Sequence, residues 1–383
     1  MKILMIMNEE KIIEQINSCI ECEACLEVCD TFAVTQNLLQ SPNGRLKIAN
    51  KIFNDEFISD DELKGIYTCT LCSMCDQFCQ KEIPISEIIL ESKIKLVENK
   101  LGPLDIHKKI TAGIIEKENS VNGNPEERLN WMPEQYLKTE LFEDQQSSTL
   151  LFLGCMSSFR VKESASASYQ LLKEGGYNFK IFRKEPCCGE YVYSSGNLQL
   201  AKKMFQENFD AFKKAGIKTI VATCGGCLYA FNNIYPKYVD SWDIEVKHVM
   251  QVIHELYQQK KLKFKKSKIE ITYHDPCRTG RKLKNFDIFD EPRELLGNSS
   301  KILHELPKNK EFTPCCGAGS GIRGVDNSIS IKIGKNLFDE LKTKIIISSC
   351  PLCVFNFTYV NYKTQAGIKP IYITEYLLEY LEK

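Results

Sequence analysis

Several things are scarce in this 383-residue chain. There is no excess charge of either sign, because 50 basic side chains balance 50 acidic ones. Nothing in that balance favours nucleic acid or an anionic membrane surface as a partner. No apolar run approaches the roughly 18 residues that a membrane-spanning helix needs. The stretch from Met1 to Met7 is too short for a secretory signal and is stopped by charge at Glu9, Glu10 and Lys11. The expectation is a cytoplasmic protein without direct membrane insertion, any membrane link being supplied by a partner. No dinucleotide fingerprint is present either. Gly317-Ala318-Gly319-Ser320-Gly321 follows a cysteine pair and lacks the plain strand that such a loop needs.

What is abundant is cysteine, with 18 residues in two zones. Eight lie between positions 19 and 79, none between 80 and 154, and ten between 155 and 353. Cytoplasmic thiols are kept reduced, and disulfide-rich scaffolds are usually small secreted domains, so this usage points to metal or catalysis. Length alone implies two or three domains. The cysteine-free stretch carries Gly102-Pro103, Gly123-Asn124-Pro125 and Gln145-Gln146-Ser147-Ser148, which read as turns and a linker. The expected domains are residues 1–148, 149–262 and 263–383. Residues 83–97 show a helical apolar spacing after a break at Pro84, so the first domain reads as helical.

The first zone reads Cys19-x2-Cys22-x2-Cys25-x3-Cys29 and then Cys69-x2-Cys72-x2-Cys75-x3-Cys79. Three thiolates at i, i+3 and i+6 on one loop can reach three irons of a cubane. The fourth iron faces away and takes its ligand from the other run. One [4Fe-4S] cluster is therefore assigned Cys19, Cys22, Cys25 and Cys79. The other is assigned Cys69, Cys72, Cys75 and Cys29. Structural zinc is the competing reading, but it favours two well-separated cysteine pairs over four thiols in eleven residues.

The second zone is built twice. Cys155, Pro186-Cys187-Cys188-Gly189 and Cys224-Gly225-Gly226-Cys227 are followed by Cys277, Pro314-Cys315-Cys316-Gly317 and Cys350-Pro351-Leu352-Cys353. Cys277, Cys315 and Cys350 lie 122, 128 and 126 residues after Cys155, Cys187 and Cys224. β-Branched apolar runs lead to these cysteines at 150–154, 218–223, 269–273 and 344–349, with helical stretches at 198–215 and 329–341 between them. Such alternation predicts two pseudo-equivalent α/β lobes with mainly parallel sheets. Adjacent thiolates can reach different irons, and the glycine after each pair permits unusual backbone angles beside a bulky cofactor. Five thiols per half exceed the four corners of a cubane, which leaves an unusual cluster or a spare reactive thiol. Zinc and vicinal disulfides stay open as the plainer alternatives.

Those segments, with Tyr273-His274-Asp275-Pro276-Cys277 and Cys315-Cys316-Gly317-Ala318-Gly319, resemble the CCG-domain iron–sulfur oxidoreductases over roughly residues 15–360. The likeness is greatest to coenzyme B–coenzyme M heterodisulfide reductase, an enzyme of methanogenesis, in its form with the ferredoxin-type and CCG parts fused in one chain. It extends to the iron–sulfur subunits of glycolate and anaerobic glycerol-3-phosphate dehydrogenases. The resemblance implies a multidomain α+β chain: a helical ferredoxin-type domain with two cubane clusters, then two CCG lobes. It implies two noncubane [4Fe-4S] clusters, on Cys155, Cys187, Cys188, Cys224 and Cys227 and on Cys277, Cys315, Cys316, Cys350 and Cys353, with a small-molecule disulfide cleaved between them. Electrons then come from a donor protein: a flavoprotein, a ferredoxin or a membrane haem subunit. The other readings are an electron-transfer subunit of a flavoprotein dehydrogenase acting on glycolate, lactate or glycerol 3-phosphate, and a zinc-stabilised interaction protein.

A few further side chains are candidates. Arg278, Arg281 and Arg323 lie close in sequence to the thiols and could bind an anionic substrate group, or simply offset cluster charge. His274 could donate a proton to a leaving thiolate, or hold a structural hydrogen bond. Tyr191 and Tyr193 could line the same cavity, or pack in the core.

Overall fold

The computed structural model describes residues 8–137, 146–283 and 286–382. The stretch from Met1 to Met7, and Gln145 of the linker reading, lie outside these residues.

The first hundred residues are helical, as the apolar spacing predicts. Helices Glu9–Asn17, Pro42–Phe53, Asp60–Tyr67 and Ile85–Glu98 bury Ile12, Ile48, Ile52, Ile66, Ile88 and Ile89 against one another. Their starts are capped. Asn8 accepts from Lys11 N–H, Ser41 from Gly44 N–H, and Ser59 forms a reciprocal box with Glu62. Ile85–Glu98 begins directly after Pro84, the breaker expected from the sequence.

Each cysteine run starts where a helix stops: Cys19 follows Glu9–Asn17 and Cys69 follows Asp60–Tyr67. Both loops coil in the same way. Glu21, Glu23, Leu71 and Ser73 take left-handed angles, with φ of 52, 62, 52 and 63°. Non-glycine residues seldom adopt that region. Here it curls three thiols of each run around one pocket.

The remainder is α/β. One parallel sheet contains β1 (Thr149–Phe152), β2 (Thr219–Ala222) and β3 (Glu245–His248), in that order. The second, also parallel, contains β4 (Glu270–His274), β5 (Ile302–Glu305), β6 (Ile345–Ser348) and β7 (Lys369–Tyr372), in the order β5-β4-β6-β7. A parallel bridge from Leu150 to Lys180 stands beside β1 as β5 stands beside β4. The four predicted strands are β1, β2, β4 and β6. Strands β3, β5 and β7 carry charged or proline positions and are partly exposed, so no buried apolar run announces them. Helices Leu198–Lys214 and Asn327–Asp339 fall where the sequence places them.

One apolar core runs from the helical region through both sheets. Helix Lys162–Glu174 packs on Ile373–Glu379, and Ser168 bonds Thr374 at 3.0 Å across that contact.

Candidate iron–sulfur centres and the cavity beside them

All eighteen cysteines are free thiols. The first eight line two separate pockets. Cys19, Cys22, Cys25 and Cys79 share one with Leu46, Ile83 and Ile85. Cys29, Cys69, Cys72 and Cys75 share the other with Asp30, Arg45 and Thr70. Backbone N–H groups face the sulfurs, from Leu71 to Cys69 Sγ and from Ile83 to Cys79 Sγ, both at 3.4 Å. Burial pushes the Cys25 thiol up to about 12, neighbouring thiols adding to it. Burial also raises Cys29 to about 11, against the pull of Arg45. Bare thiols here hold their protons, whereas bound metal removes them outright.

The surroundings fit a negatively charged group. Arg45, Lys93 and Arg281 are buried, at 1%, 0% and 7% exposure. None of them has a carboxylate within ion-pair distance among the described residues. Arg45 Nη1 stands 4.0 Å from Cys29 Sγ. Lys93 Nζ donates to Ser320 Oγ at 2.7 Å and faces the Cys69 carbonyl at 3.5 Å. Burying three cations without anions is costly unless something supplies the charge. A thiolate-ligated iron–sulfur cluster, which is net negative, does so. Among the described residues no three His, Cys, Asp or Glu side chains converge as a single metal ion requires. Cluster thiolates each bind a different iron and stand farther apart.

Six of the ten later cysteines, Cys155, Cys224, Cys227, Cys277, Cys350 and Cys353, follow strands β1, β2, β4 and β6. Cys224 and Cys350 cap helices Gly225–Tyr229 and Pro351–Thr364, directly after β2 and β6. Cys227 and Cys353 lie in the first turns, where the neighbouring thiols Cys188 and Cys316, and then burial, push both thiols up. The Cys188 and Cys227 side chains are neighbours, as are Cys316 and Cys353. Gly189 and Gly317, after the pairs, have φ of +76° and +86°. A Cβ on Gly317 would meet the Ser330 carbonyl at 2.9 Å, so both the backbone angle and the close approach require glycine. Cys155 opens helix Gly154–Phe159, and Glu185 holds that turn by accepting from Leu153 and Gly154 N–H, both at 2.8 Å.

The sets touch one another in order. Cys72 of the second pocket neighbours Cys315, whose N–H donates to Asp30 Oδ2 at 2.8 Å and whose Sγ lies 3.6 Å from Thr70 Oγ1. Cys350 in turn neighbours Cys224. Cys155, Cys187, Cys188, Cys224 and Cys227 line a cavity of about 560 Å³. Its walls include Ile110, Met156, Leu352 and Phe355, with Glu190, Arg160, Arg278 and Arg323 as charged members. The size is typical of a small-molecule site.

The structure sorts the other candidates. Arg278 is ion-paired to Glu190 at the cavity wall. Arg281 donates to the carbonyls of Cys72, Glu311 and Thr313 at 2.7, 3.0 and 2.6 Å, so it is a strut between segments, and it is not among the cavity residues. Arg323 faces the cavity. His274 is 1% exposed and is not among the cavity residues. Its Nε2–H donates to the Pro314 carbonyl at 3.1 Å, Nδ1 faces Ser348 Oγ at 3.4 Å, and burial lowers its pKa to about 4. That makes it a positioning residue for the Cys315-Cys316 pair, and the proton-donor reading is set aside. Tyr191 reaches the cavity and its hydroxyl bonds His107 Nδ1 at 2.8 Å. Tyr193 packs against Phe205 and Tyr238 in the core. Sequence reading missed Ser120, 3.3 Å from Cys155 Sγ, and Arg128, 3.2 Å from Glu185 Oε1. Both come from the stretch read as linker, and only the fold brings them back.

Comparison with known proteins agrees with this layout. The cysteine-rich CCG domain matches residues 149–232 and 271–358, and a 4Fe-4S dicluster domain matches residues 15–83. The chain is 27% identical over 370 residues to the D-type subunit of dihydromethanophenazine:CoB–CoM heterodisulfide reductase from Methanosarcina barkeri, covering 90% of this chain and 88% of that one. It is 25% identical over 348 residues to the B-type subunit of fumarate reductase (CoM/CoB) from Methanothermobacter marburgensis, covering 89% and 67%. It is 29% identical over 312 residues to the EtfAB:quinone oxidoreductase of Syntrophomonas wolfei, covering 76% and 42%. With two CCG domains behind a 4Fe-4S dicluster domain, this chain is a CCG-domain iron–sulfur oxidoreductase, similar over most of its length to the D-type heterodisulfide reductase subunits.

Proposed function

We propose that this oxidoreductase reduces a small-molecule disulfide of the CoM-S-S-CoB kind at its cavity, drawing electrons through the ferredoxin-type region. The supporting observation is the order of contacts: the Cys29/Cys69/Cys72/Cys75 pocket adjoins Cys315, Cys350 adjoins Cys224, and the Cys224 set faces the cavity. In this reading the first eight cysteines hold two cubane [4Fe-4S] clusters in the crossed grouping. The two five-cysteine sets hold one noncubane cluster each, in two pseudo-equivalent lobes at about 149–262 and 263–383, behind a ferredoxin-type domain at 1–148. The clusters supply one-electron transfer at low cost in reorganisation.

The overall change is one disulfide, two electrons and two protons giving two thiols. The chain's own residues shape where it happens. Ile110, Met156, Leu352 and Phe355 give the cavity an apolar lining, and Glu190, Arg278 and Tyr191 are its polar members, the first two ion-paired and Tyr191 bonded to His107 behind it. Cys22 is exposed, which gives a donor protein access to the first pocket. No helix of the described residues is long and apolar enough to cross a membrane. A membrane haem donor would therefore be a separate partner protein.

The test is anaerobic purification to about sixteen irons per chain, the number four [4Fe-4S] clusters imply, followed by oxidation of a reduced viologen dye by coenzyme M–coenzyme B heterodisulfide. Rapid turnover is expected. Full iron without turnover of this or other disulfides overturns the reading. A co-purifying flavoprotein would then favour the electron-transfer role in glycolate, lactate or glycerol 3-phosphate oxidation.

A further inference from the structure

The charged residues of the cavity wall do not balance. Glu190 is the single carboxylate among the described lining residues, and Arg278 already pairs with it. Arg160 donates through Nη2 to the Val121 carbonyl. Arg323 has no such partner. It forms no ion pair or hydrogen bond among the described residues, and its Nε is buried and unsatisfied. Its guanidinium lies over two rings, 4.7 Å from the Phe355 centroid and 4.4 Å from the Tyr359 centroid. Stacking of that kind holds a guanidinium flat and strips water from its faces, leaving the donor edge open. Desolvation lowers its affinity for its own proton, which is the opposite of what a paired arginine shows. Asn327, also on the wall, bonds the Tyr359 hydroxyl at 2.8 Å and braces the stack.

We infer that Arg323 is an anion-binding, specificity-determining residue of this cavity, and that the molecule reduced there ends in a carboxylate, sulfonate or phosphate. The inference rests on the proposed reductase reading only for the word reduced; the anion site stands on the cavity itself. Arg323 shares the cavity with Cys155, Cys187, Cys188, Cys224 and Cys227. A short acyl or alkyl arm joins a disulfide at those thiols to an anionic end at Arg323. The apolar wall of Leu352 and Phe355 lies along it. A planar two-donor fork then reads the terminal oxygens, as guanidinium does for carboxylate and phosphate elsewhere.

Three symmetrical disulfides with two-carbon arms test this: 3,3′-dithiodipropionate (anionic), bis(2-hydroxyethyl) disulfide (neutral) and cystamine (cationic). Their binding to the oxidised, iron-replete full chain is measured by calorimetry, and their turnover with reduced viologen in parallel. The expected result is about tenfold or more tighter binding of the anionic probe than of the neutral one, the size of one charge-assisted contact. Arg323→Gln removes that ratio, Arg323→Lys keeps part of it, and Arg323→Glu inverts it toward cystamine. Iron content and the visible spectrum check that each variant keeps its clusters. Equal binding of the three probes, or an anion preference that survives Arg323→Gln, overturns the assignment. Charge-selective binding with no turnover upholds Arg323 and overturns the reductase reading. Turnover without charge selectivity does the reverse.

Discussion

Glu185 shows how much one buried side chain can decide. It is 2% exposed, and its carboxylate serves Leu153 N–H, Gly154 N–H and Arg128 together. The turn it holds delivers Cys155. Glu185→Ala leaves the Arg128 guanidinium buried and two N–H groups without acceptors, and losing one partner of a buried pair typically costs about 3–5 kcal/mol. The expected outcome is a lower denaturant midpoint by that amount and a loss of iron, read by chemical denaturation and metal analysis. A variant that keeps both would show that the strand alone presents Cys155. Glycine works at the same scale. Gly189 and Gly317 were legible as special from the Cys-Cys-Gly pattern, and their positive φ follows from it. Glu185 was not legible. Its role depends on Arg128, 57 residues away, and on a turn that no local pattern marks.

At the scale of elements, helix Ile85–Glu98 carries a group at odds with its surroundings. Burial, with Glu87 nearby, raises Glu91 to about 7 from the usual 4.5. The folded state then binds a proton that the unfolded chain releases between pH 4.5 and 7. Stability from this group is present below that window and is lost as pH rises through it. Glu91→Gln removes the penalty, with an expected gain of roughly 1–3 kcal/mol at pH 8 and little change at pH 4.5. Denaturation midpoints at the two pH values check it, and an equal gain at both would refute the burial argument. Element identity was readable where apolar runs were buried on both faces, as in β1, β2, β4 and β6. It was hidden in β3, β5 and β7, because exposed edge strands keep charged residues and so lose the signal.

Over the whole molecule, the helical region and the CCG body are joined by buried polar struts. Arg281 bonds the Cys72 carbonyl, Lys282 the Leu71 carbonyl, Lys93 the Ser320 hydroxyl and Asp30 the Cys315 N–H. These bonds converge where the second ferredoxin pocket meets Cys315. They fix the separation across which electrons would pass. Arg281→Met removes three hydrogen bonds to carbonyls. The expected effect is slower electron arrival at the CCG thiols, by tenfold or more, with iron content retained. Stopped-flow reduction monitored at cluster wavelengths measures it. An unchanged rate would mean that the Cys72–Cys315 contact is held by other bonds.

Local chemistry was written into the chain. Cysteine spacing at i, i+3 and i+6 is a property of one loop, and the doubling of the five-cysteine order is a property of one string, so cluster-type thiol sets and a repeated cysteine-rich segment could be read without coordinates. The helix start after Pro84 could be read for the same reason, since a breaker acts within one turn. Tertiary structure decided everything that depends on long-range approach. It brought Cys72 to Cys315 and Cys350 to Cys224, it gave the cavity to the first five-cysteine set, and it sorted three sequence-equivalent arginines into a strut, an ion pair and an unpartnered donor. Charge type is local, but whether a charge is paired depends on which distant segment folds against it.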